Sequence, residues 1–169
     1  VFLFLMSRTQ AKKRRTKTPL FGLRFVLPEN SSKIRWLGLS GETYPDRKKG
    51  GVFGIHEGRP EITRYLVPQE SSNHMDTRWM QLWRKSKGLE FVMEGVPFHF
   101  SAIPYTPQEL DSAFHIEDLP LPRRTVVTLL SHMRGVGGIN SWGSDVEKPY
   151  RISGENDLDL TFSIGRPEK

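Results

Sequence analysis

The sequence contains no cysteine among its 169 residues, and it is short of apolar residues. Without cysteine the chain can form neither disulfide bonds nor a thiolate metal site, which is compatible with the cytoplasmic location that we expect. Hydrophobic residues make up 36% of the chain and the mean hydropathy is −0.50. This low content suits strands with one solvated face, or a piece of protein whose partner surface is missing.

A long hydrophobic run is also missing. The apolar run at residues 1–6 is too short to span a membrane, and positive charge follows it instead of preceding it. That order is wrong for a secretory signal. We therefore expect no membrane partner.

Acidic residues are absent from the first 24 positions, which carry seven basic side chains. The formal net charge of +6 comes from this segment, because the remainder holds 18 basic and 19 acidic residues. We predict a basic, disordered tail at residues 1–18 and one folded domain at residues 19–169. The run at residues 12–15 also matches a nuclear signal or a nucleic-acid-binding arm. Because the excess charge is confined to a tail, we expect no nucleic-acid partner.

Short alternating segments separated by glycine and proline predict β-strands. The predicted strands are residues 23–27, 34–39, 77–83, 89–93, 98–101, 125–130 and 158–164. The glycine-rich segment at residues 50–55 fits either a strand or a loop. We expect a hairpin across residues 86–88. The whole pattern predicts an all-β protein, an antiparallel β-sandwich.

One segment has the signature of a short helix. Thr106 is placed to cap it, Pro107 to occupy its first position and Glu109 to complete a capping box. We therefore predict a single helix of one or two turns over residues 106–113.

Three glycines in four positions, Gly135, Gly137 and Gly138, stand shortly before Trp142. Glycine accepts a positive φ and lets the backbone approach a neighbour closely, so these residues predict the hinge of a loop. Two interpretations stay open from these residues alone. One is a tight turn before a core tryptophan, and the other is a loop that presents an indole at the surface.

Six sequence blocks follow one another between about residues 20 and 165. They are residues 36–47 (WLGLSGETYPDR), 65–70 (YLVPQE), 76–79 (DTRW), 98–101 (FHFS), 105–110 (YTPQEL, followed by His115) and 135–143 (GVGGINSWG). In content and order they resemble the β-galactosidases of glycoside hydrolase family 2. The resemblance is to the last part of the terminal β-domain, which forms the small chain where that enzyme is split in two.

The resemblance implies a galactose-mutarotase-like supersandwich, incomplete here because the family's terminal domain is longer than this chain. It implies one part of a retaining glycosidase that hydrolyses terminal β-D-galactosides such as lactose. The two catalytic glutamates of the family, and largely its magnesium and sodium ions, belong to a barrel domain that is not part of this sequence. We therefore expect no catalytic residue, cofactor or metal in this chain, and no activity from the chain alone.

In the family, the tryptophan of the last block reaches the galactoside site, and that role carries over to Trp142. Ser141, Asn140 and His115 are candidate supporting residues for substrate binding. An indole offers a flat apolar platform and one N–H donor, on which the C–H face of a sugar can lie. The remaining tryptophans occur on predicted strands and are expected in the core or on a sheet face: Trp36, Trp79 and Trp83.

The acidic residues of the blocks have structural explanations. Asp46 and Arg47 can fix a loop through charge-assisted hydrogen bonds. Glu42, Glu70 and Asp76 stand beside basic or turn residues, so we expect ordinary surface carboxylates and no catalytic pair.

The resemblance also implies partners. The chain is expected to associate with the remainder of a β-galactosidase, in cis or as a large subunit, to contribute to a galactoside site and to form an oligomer. The alternative is a free-standing carbohydrate-binding or interaction module with the same fold and no hydrolase activity.

Overall fold

The computed structural model of the chain describes residues 3–9 and 17–168. In chain order, its strands are β1 (Leu3–Thr9), β2 (Lys17–Thr18), β3 (Leu20–Leu27), β4 (Lys33–Leu39), β5 (Phe53–Gly58), β6 (Asn73–Thr77), β7 (Trp79–Arg84), β8 (Lys87–Met93), β9 (Phe98–Ile103), β10 (Thr125–Met133), β11 (Ile152–Ser153) and β12 (Leu158–Gly165). One α-helix, α1 (Pro107–Asp111), is found in this part of the chain, together with two 3₁₀ turns, Ile116–Asp118 and Lys148–Tyr150.

The strands form two main antiparallel sheets. The larger sheet has the order β1-β12-β8-β7-β4-β5, and the smaller has the order β3-β10-β9-β6. The short strands β2 and β11 pair with each other apart from both. The two sheets pack face to face, which confirms the predicted all-β antiparallel sandwich.

The core lies between the two sheets because each strand turns alternate side chains inward. In β4, for example, Ile34 and Trp36 are buried while their neighbours in sequence are only partly covered. The larger sheet contributes Ile34, Trp36, Met80, Leu82, Phe91, Leu160 and Phe162, and the smaller contributes Phe98, Phe100, Ala102, Val127 and Leu129. This confirms the expected packing of Trp36, and Trp79 and Trp83 lie half-buried on the sheet.

The predicted hairpin is confirmed, although its turn lies earlier than predicted. Arg84 pairs with Lys87, so the turn consists of Lys85 and Ser86, and Lys85 has a φ of 53°. Gly88 lies within β8 instead of in the turn. A Cβ at Gly88 would approach Pro167 Cγ to 2.5 Å, so this glycine serves close packing and not chain reversal.

The start of the chain differs from the predicted disordered tail. Residues 3–9 form β1, which pairs with β12 from Leu3 opposite Ile164 to Thr9 opposite Leu158. Strand β1 thus lies along β12 at the edge of the larger sheet, and Leu5 packs against the core. The basic run at residues 12–15 lies outside the described residues.

The predicted helix is confirmed with its capping box. Thr106 Oγ1 accepts the N–H of Glu109 at 3.3 Å, and Glu109 Oε2 accepts the N–H of Thr106 at 2.9 Å. Pro107 occupies the first turn, and Leu110 is buried against Ile103. No helix in the described part of the chain has the length and apolar character needed to cross a membrane.

Candidate functional site

The indole of Trp142 lies at the molecular surface, with 90% of the residue exposed. It belongs to a loop that leaves β10 at residue 134 and reaches a buried anchor at Val146. We call residues 134–146 the indole loop. Of the two interpretations left open by the sequence, the structure therefore agrees with an indole presented at the surface and not with one packed in the core.

The glycines of the indole loop have different structural roles. Gly137 and Gly138 have φ angles of 75° and 68°, in the left-handed region where glycine is favoured. Gly135 has no positive φ, but a Cβ there would lie 2.8 Å from the side-chain Cγ of Asp46. Gly135 is therefore required by a close approach, whereas Gly137 and Gly138 are required by backbone conformation.

The base of the indole loop rests on residues 44–47, which form a tight turn closed by the N–H of Arg47 bonding to Tyr44 O at 2.8 Å. We call this segment the 44–47 turn. Asp46 accepts the N–H of Val136 at 3.0 Å and that of Gly137 at 2.8 Å. Arg47 donates to Gly137 O. These bonds confirm that Asp46 and Arg47 fix a loop, and they identify it as the indole loop.

The returning arm of the indole loop is held by charge and by an apolar side chain. Arg134 forms an ion pair with Asp145, and Arg151 Nε lies 3.6 Å from the same carboxylate. Val146 is buried, and a Cβ at Gly137 would approach its Cγ2 to 3.1 Å. Both arms of the loop are therefore anchored, while its tip projects.

Asn140 shapes the tip of the loop. Its Oδ1 accepts the N–H of Trp142 at 3.0 Å and that of Ser144 at 3.4 Å, and its Nδ2 lies 2.7 Å from Ser144 Oγ. An asparagine that bonds the backbone two residues on forms an Asx turn, which sets the local chain direction. Ser141 is exposed beside the indole. Two of the three predicted supporting residues, Asn140 and Ser141, thus lie close to Trp142 in the loop, and the side chain of Asn140 is engaged within the loop.

His115 lies elsewhere, in the exposed segment that follows α1. Its backbone N–H and that of Phe114 donate to Asp118 Oδ2, at 2.9 and 3.1 Å. Within the described residues, no hydrogen bond or ring contact joins His115 to the indole loop. Its predicted supporting role therefore receives no support from the geometry of this chain.

The remaining carboxylates of the sequence blocks are engaged in structural contacts. Glu70 pairs with Arg24 at 2.6 Å, and Asp76 with Lys48 at 2.9 Å. Glu42 accepts hydrogen bonds from hydroxyl groups, among them that of Tyr65 at 3.0 Å.

Sequence reasoning did not anticipate the hydroxyl cluster around Glu42. The hydroxyl groups of Tyr44, Thr63 and Tyr65 all donate to its carboxylate. Burial, and then the hydrogen bond to Glu42, raise the pKa of Tyr44 above its usual range. The spacing of Glu42 and Tyr44 was the only local signal, because Thr63 and Tyr65 come from a distant loop.

Trp142 does not line a cleft that loop residues form elsewhere on the sandwich. That cleft has a volume of about 540 Å³ and is lined by, among others, Asn30, Arg59, Arg64 and Tyr105. In the described part of the chain, no group of three or more His, Asp or Glu residues is arranged to hold a metal ion. Because the indole projects, the described residues do not enclose it in a pocket.

These features define the chain as an all-β sandwich domain that carries a projecting aromatic loop. The chain belongs to the family described as Beta galactosidase small chain, which matches residues 5–164. The family match begins at residue 5, within β1, whereas the resemblance seen in the sequence blocks begins only at about residue 20.

Curated relatives are similar over most of this chain. The Beta-galactosidase small subunit of Latilactobacillus sakei is 48% identical over 86% of this chain and 50% of the relative. Beta-galactosidase BgaC of Bifidobacterium adolescentis is 36% identical over 86% of this chain and 14% of the relative. Beta-galactosidase of Lactobacillus delbrueckii subsp. bulgaricus is 36% identical over 86% and 15%. The chain thus spans half or less of the length of these relatives.

Proposed function

We propose that this chain is a terminal, non-catalytic part of a cytoplasmic β-galactosidase of glycoside hydrolase family 2. The assembled enzyme hydrolyses terminal β-D-galactosides such as lactose with retention of configuration. Trp142 forms one wall of the galactoside site, and a barrel domain or large subunit supplies the catalytic carboxylates together with any metal ions. The chain alone is inactive.

The exposure of Trp142 is the observation that carries this proposal. Burying a large apolar side chain is worth on the order of 2 kcal/mol or more, and this chain leaves its indole 90% exposed on an anchored loop. That free energy remains available to a ligand or to a partner surface. A flat ring held in one place is suited to the C–H face of a sugar, whose hydroxyl groups are then bound by the partner.

The contacts of the carboxylates in this chain support a non-catalytic role for it. Retaining glycoside hydrolysis needs two carboxyl groups about 5–5.5 Å apart, one of them a nucleophile and the other an acid/base. Asp46 holds the indole loop, Glu42 accepts from three hydroxyl groups, and Glu70 and Asp76 form ion pairs. Carboxylates committed in this way support a catalytic pair located outside this chain.

Complementation tests the proposal. The chain is mixed with a β-galactosidase that lacks its terminal region, and hydrolysis of lactose is measured. We expect activity only in the mixture, and we expect Trp142→Ala to lower kcat/KM about tenfold or more through a raised KM. The matched control is Leu121→Ala, which removes an apolar side chain of similar exposure, 89%, and leaves activity unchanged.

Two outcomes would contradict the proposal. Hydrolysis by the chain alone would place the catalytic groups within it. Galactoside binding by the chain alone, without any complementation, would support the free-standing carbohydrate-binding module instead. A free-standing carbohydrate-binding module is not favoured, because the similar curated proteins carry the name of β-galactosidase.

A further inference from the structure

We propose that Asp46 is the positioning residue for the indole of Trp142. Its carboxylate sets the place and direction of the indole loop by binding two successive backbone N–H groups, those of Val136 and Gly137. The inference rests on the proposed function for its catalytic consequence, whereas its structural part can be tested on the chain alone.

The carboxylate of Asp46 is almost completely buried, with 6% of the side chain exposed. A buried carboxylate must be compensated by hydrogen bonds and positive charge. The indole loop supplies the N–H of Val136 at 3.0 Å to one oxygen and the N–H of Gly137 at 2.8 Å to the other. The guanidinium of Arg47 lies 3.6 Å from the second oxygen. Both oxygens of the carboxylate are therefore bound to this loop.

The 44–47 turn binds both backbone polar groups of Gly137, its N–H and its carbonyl oxygen. Asp46 accepts the N–H of Gly137, and Arg47 donates to its carbonyl oxygen. The other nitrogen of Arg47 donates to Asp46 O at 3.0 Å, which keeps the guanidinium in place. Gly137 is fixed in this way. The path of the chain from Gly137 to the indole is then set by the φ of 68° at Gly138 and by the Asx turn of Asn140.

Gly135 is the counterpart of Asp46. Its position is so close to the carboxylate that a Cβ would meet Asp46 Cγ at 2.8 Å and its two oxygens at 2.9 and 3.0 Å. A side chain at this position would push the loop away from Asp46. Gly135 and Asp46 thus hold the indole loop together, although about 90 residues separate them in sequence.

The 44–47 turn is itself tied to the sandwich. Thr43, which precedes it, donates its backbone N–H to Asn73 O of β6 at 2.8 Å. The side chain of Asn73 donates to Thr43 O at 2.8 Å, and Thr43 Oγ1 accepts the N–H of Met75 at 2.9 Å. The indole is therefore connected to a buried strand through a chain of hydrogen bonds, and a sugar that stacks on it meets a surface of defined position.

The structural test uses amide hydrogen exchange, measured by NMR on the full chain. Asp46→Asn keeps the size of the side chain but replaces one acceptor oxygen with an N–H₂ donor, which cannot accept an N–H. We expect exchange at Val136 and Gly137 to accelerate about tenfold or more, while amides of β10 such as that of Leu129 keep their rates. Asp159→Asn, the same change at an exposed site, leaves all of these rates unchanged.

A second variant tests the same contact by changing Gly135 instead of Asp46. Gly135→Ala is expected to accelerate exchange at Gly137 through the collision with Asp46. Its matched control is Gly58→Ala, where the added methyl group would meet neighbours no closer than 3.6 Å. Unchanged exchange at Val136 and Gly137 in both Asp46→Asn and Gly135→Ala would overturn the proposal.

The functional test uses the complemented enzyme. We expect Asp46→Asn to raise KM for lactose about fivefold to tenfold with kcat changed less than twofold, because ground-state and transition-state contacts with the indole are lost together. In the double variant Asp46→Asn/Trp142→Ala, the aspartate substitution should add no further loss, since its effect passes through the indole.

The outcomes separate the two proposals. If Trp142→Ala raises KM and Asp46→Asn does not, Asp46 does not position the indole. If the two losses add in the double variant, Asp46 acts by another route and the inference is wrong. If Trp142→Ala has no effect on hydrolysis, the proposed function fails, and the exchange measurements then decide alone whether Asp46 positions the loop.

Discussion

His74 is a buried histidine in the packing between the two sheets. The ring centroids of Trp36 and Phe100 lie 4.2 and 4.9 Å from its own, and its Nδ1 is 2.7 Å from Gly41 O. Because a carbonyl oxygen can only accept, Nδ1 carries the proton. Burial lowers the pKa of His74 to about 4, against the opposing influences of the Gly41 carbonyl and Glu42.

His99 is also buried and also has a lowered pKa. Its Nδ1 accepts the N–H of Asp76 at 3.3 Å, and burial lowers its pKa to about 4. The charge of Asp76 opposes this shift, while those of Lys48 and His132 add to it. Both buried histidines are therefore neutral in the folded chain at neutral pH.

We predict that the folded chain loses stability in mild acid. Unfolded histidine has a pKa of about 6.5, so between pH 6.5 and 4 the unfolded state binds more protons than the folded state. The free energy of unfolding is then highest above about pH 6.5 and falls as the pH approaches 4. The expected loss between pH 7 and pH 5 is about 2 kcal/mol for each histidine. Urea denaturation at the two pH values measures it.

Substitution separates this effect from general acid sensitivity. His74→Phe keeps an aromatic ring beside Trp36 and Phe100 and should remove about half of the pH dependence. His115→Phe, at an exposed position, should leave it as in the wild type. An unchanged slope in His74→Phe would show that this histidine does not cause the acid sensitivity.

Among the elements, α1 is the one whose ends could be derived most directly from the sequence. Its capping box involves residues three positions apart, so the pattern and the structure describe the same local contacts. Glu109 additionally pairs with Arg123 at 3.0 Å and Arg124 at 3.4 Å, contacts to a segment that the local pattern does not include.

We expect Thr106→Ala to lower the free energy of unfolding by about 1 kcal/mol, the usual value of an N-cap. Urea denaturation at pH 7 provides the measurement. Ser112→Ala, at the exposed C-terminal end of α1, is the control and should change stability by less than about 0.5 kcal/mol. Equal effects of the two substitutions would contradict a specific role of the capping box.

Strand β6 could not be predicted, because all of its residues except Met75 are polar. Asn73 and His74 are buried all the same, and they are satisfied by the segment at residues 41–43, whose Thr43 N–H donates to Asn73 O and whose Gly41 carbonyl accepts from His74. Period-two alternation detects strands with one apolar and one polar face, such as β12. A strand whose polar side chains bond a distant loop lacks that signal.

At the scale of the whole molecule, the larger sheet leaves apolar side chains exposed at one of its edges. In the described residues, β5 is the last strand of the larger sheet and has one neighbour, β4. Phe53 and Ile55 of β5 are 49% and 55% exposed. An exposed edge with apolar side chains favours association with another strand.

We therefore predict that the isolated chain self-associates or dissolves poorly. Analytical ultracentrifugation over a concentration series should show dimers or larger species, and Ile55→Lys should reduce them. Val96→Lys introduces the same charge at an exposed turn and should have no effect. A monomer whose melting temperature is independent of concentration would contradict the prediction.

The sequence predicted the hinge of a loop before Trp142, but not which residues hold that loop. Gly135, Gly137 and Gly138 gave a local signal of an unusual loop. The partner of Gly135 is Asp46, and no periodicity or spacing rule connects residues so far apart. Likewise, the pairing of β1 with β12 joins the two ends of the described chain, so an isolated apolar run beside basic residues gave no indication of a strand.

The contact between the 44–47 turn and the indole loop also bears on the order of folding. It joins positions that lie 90 and 91 residues apart, so the chain must close a large loop before either hydrogen bond forms. Contacts of such long range slow folding, because loop-closure entropy is lost before the contact is gained. In a complementation mixture, regained hydrolysis would then lag behind binding, and the delay would include the time needed to close this loop.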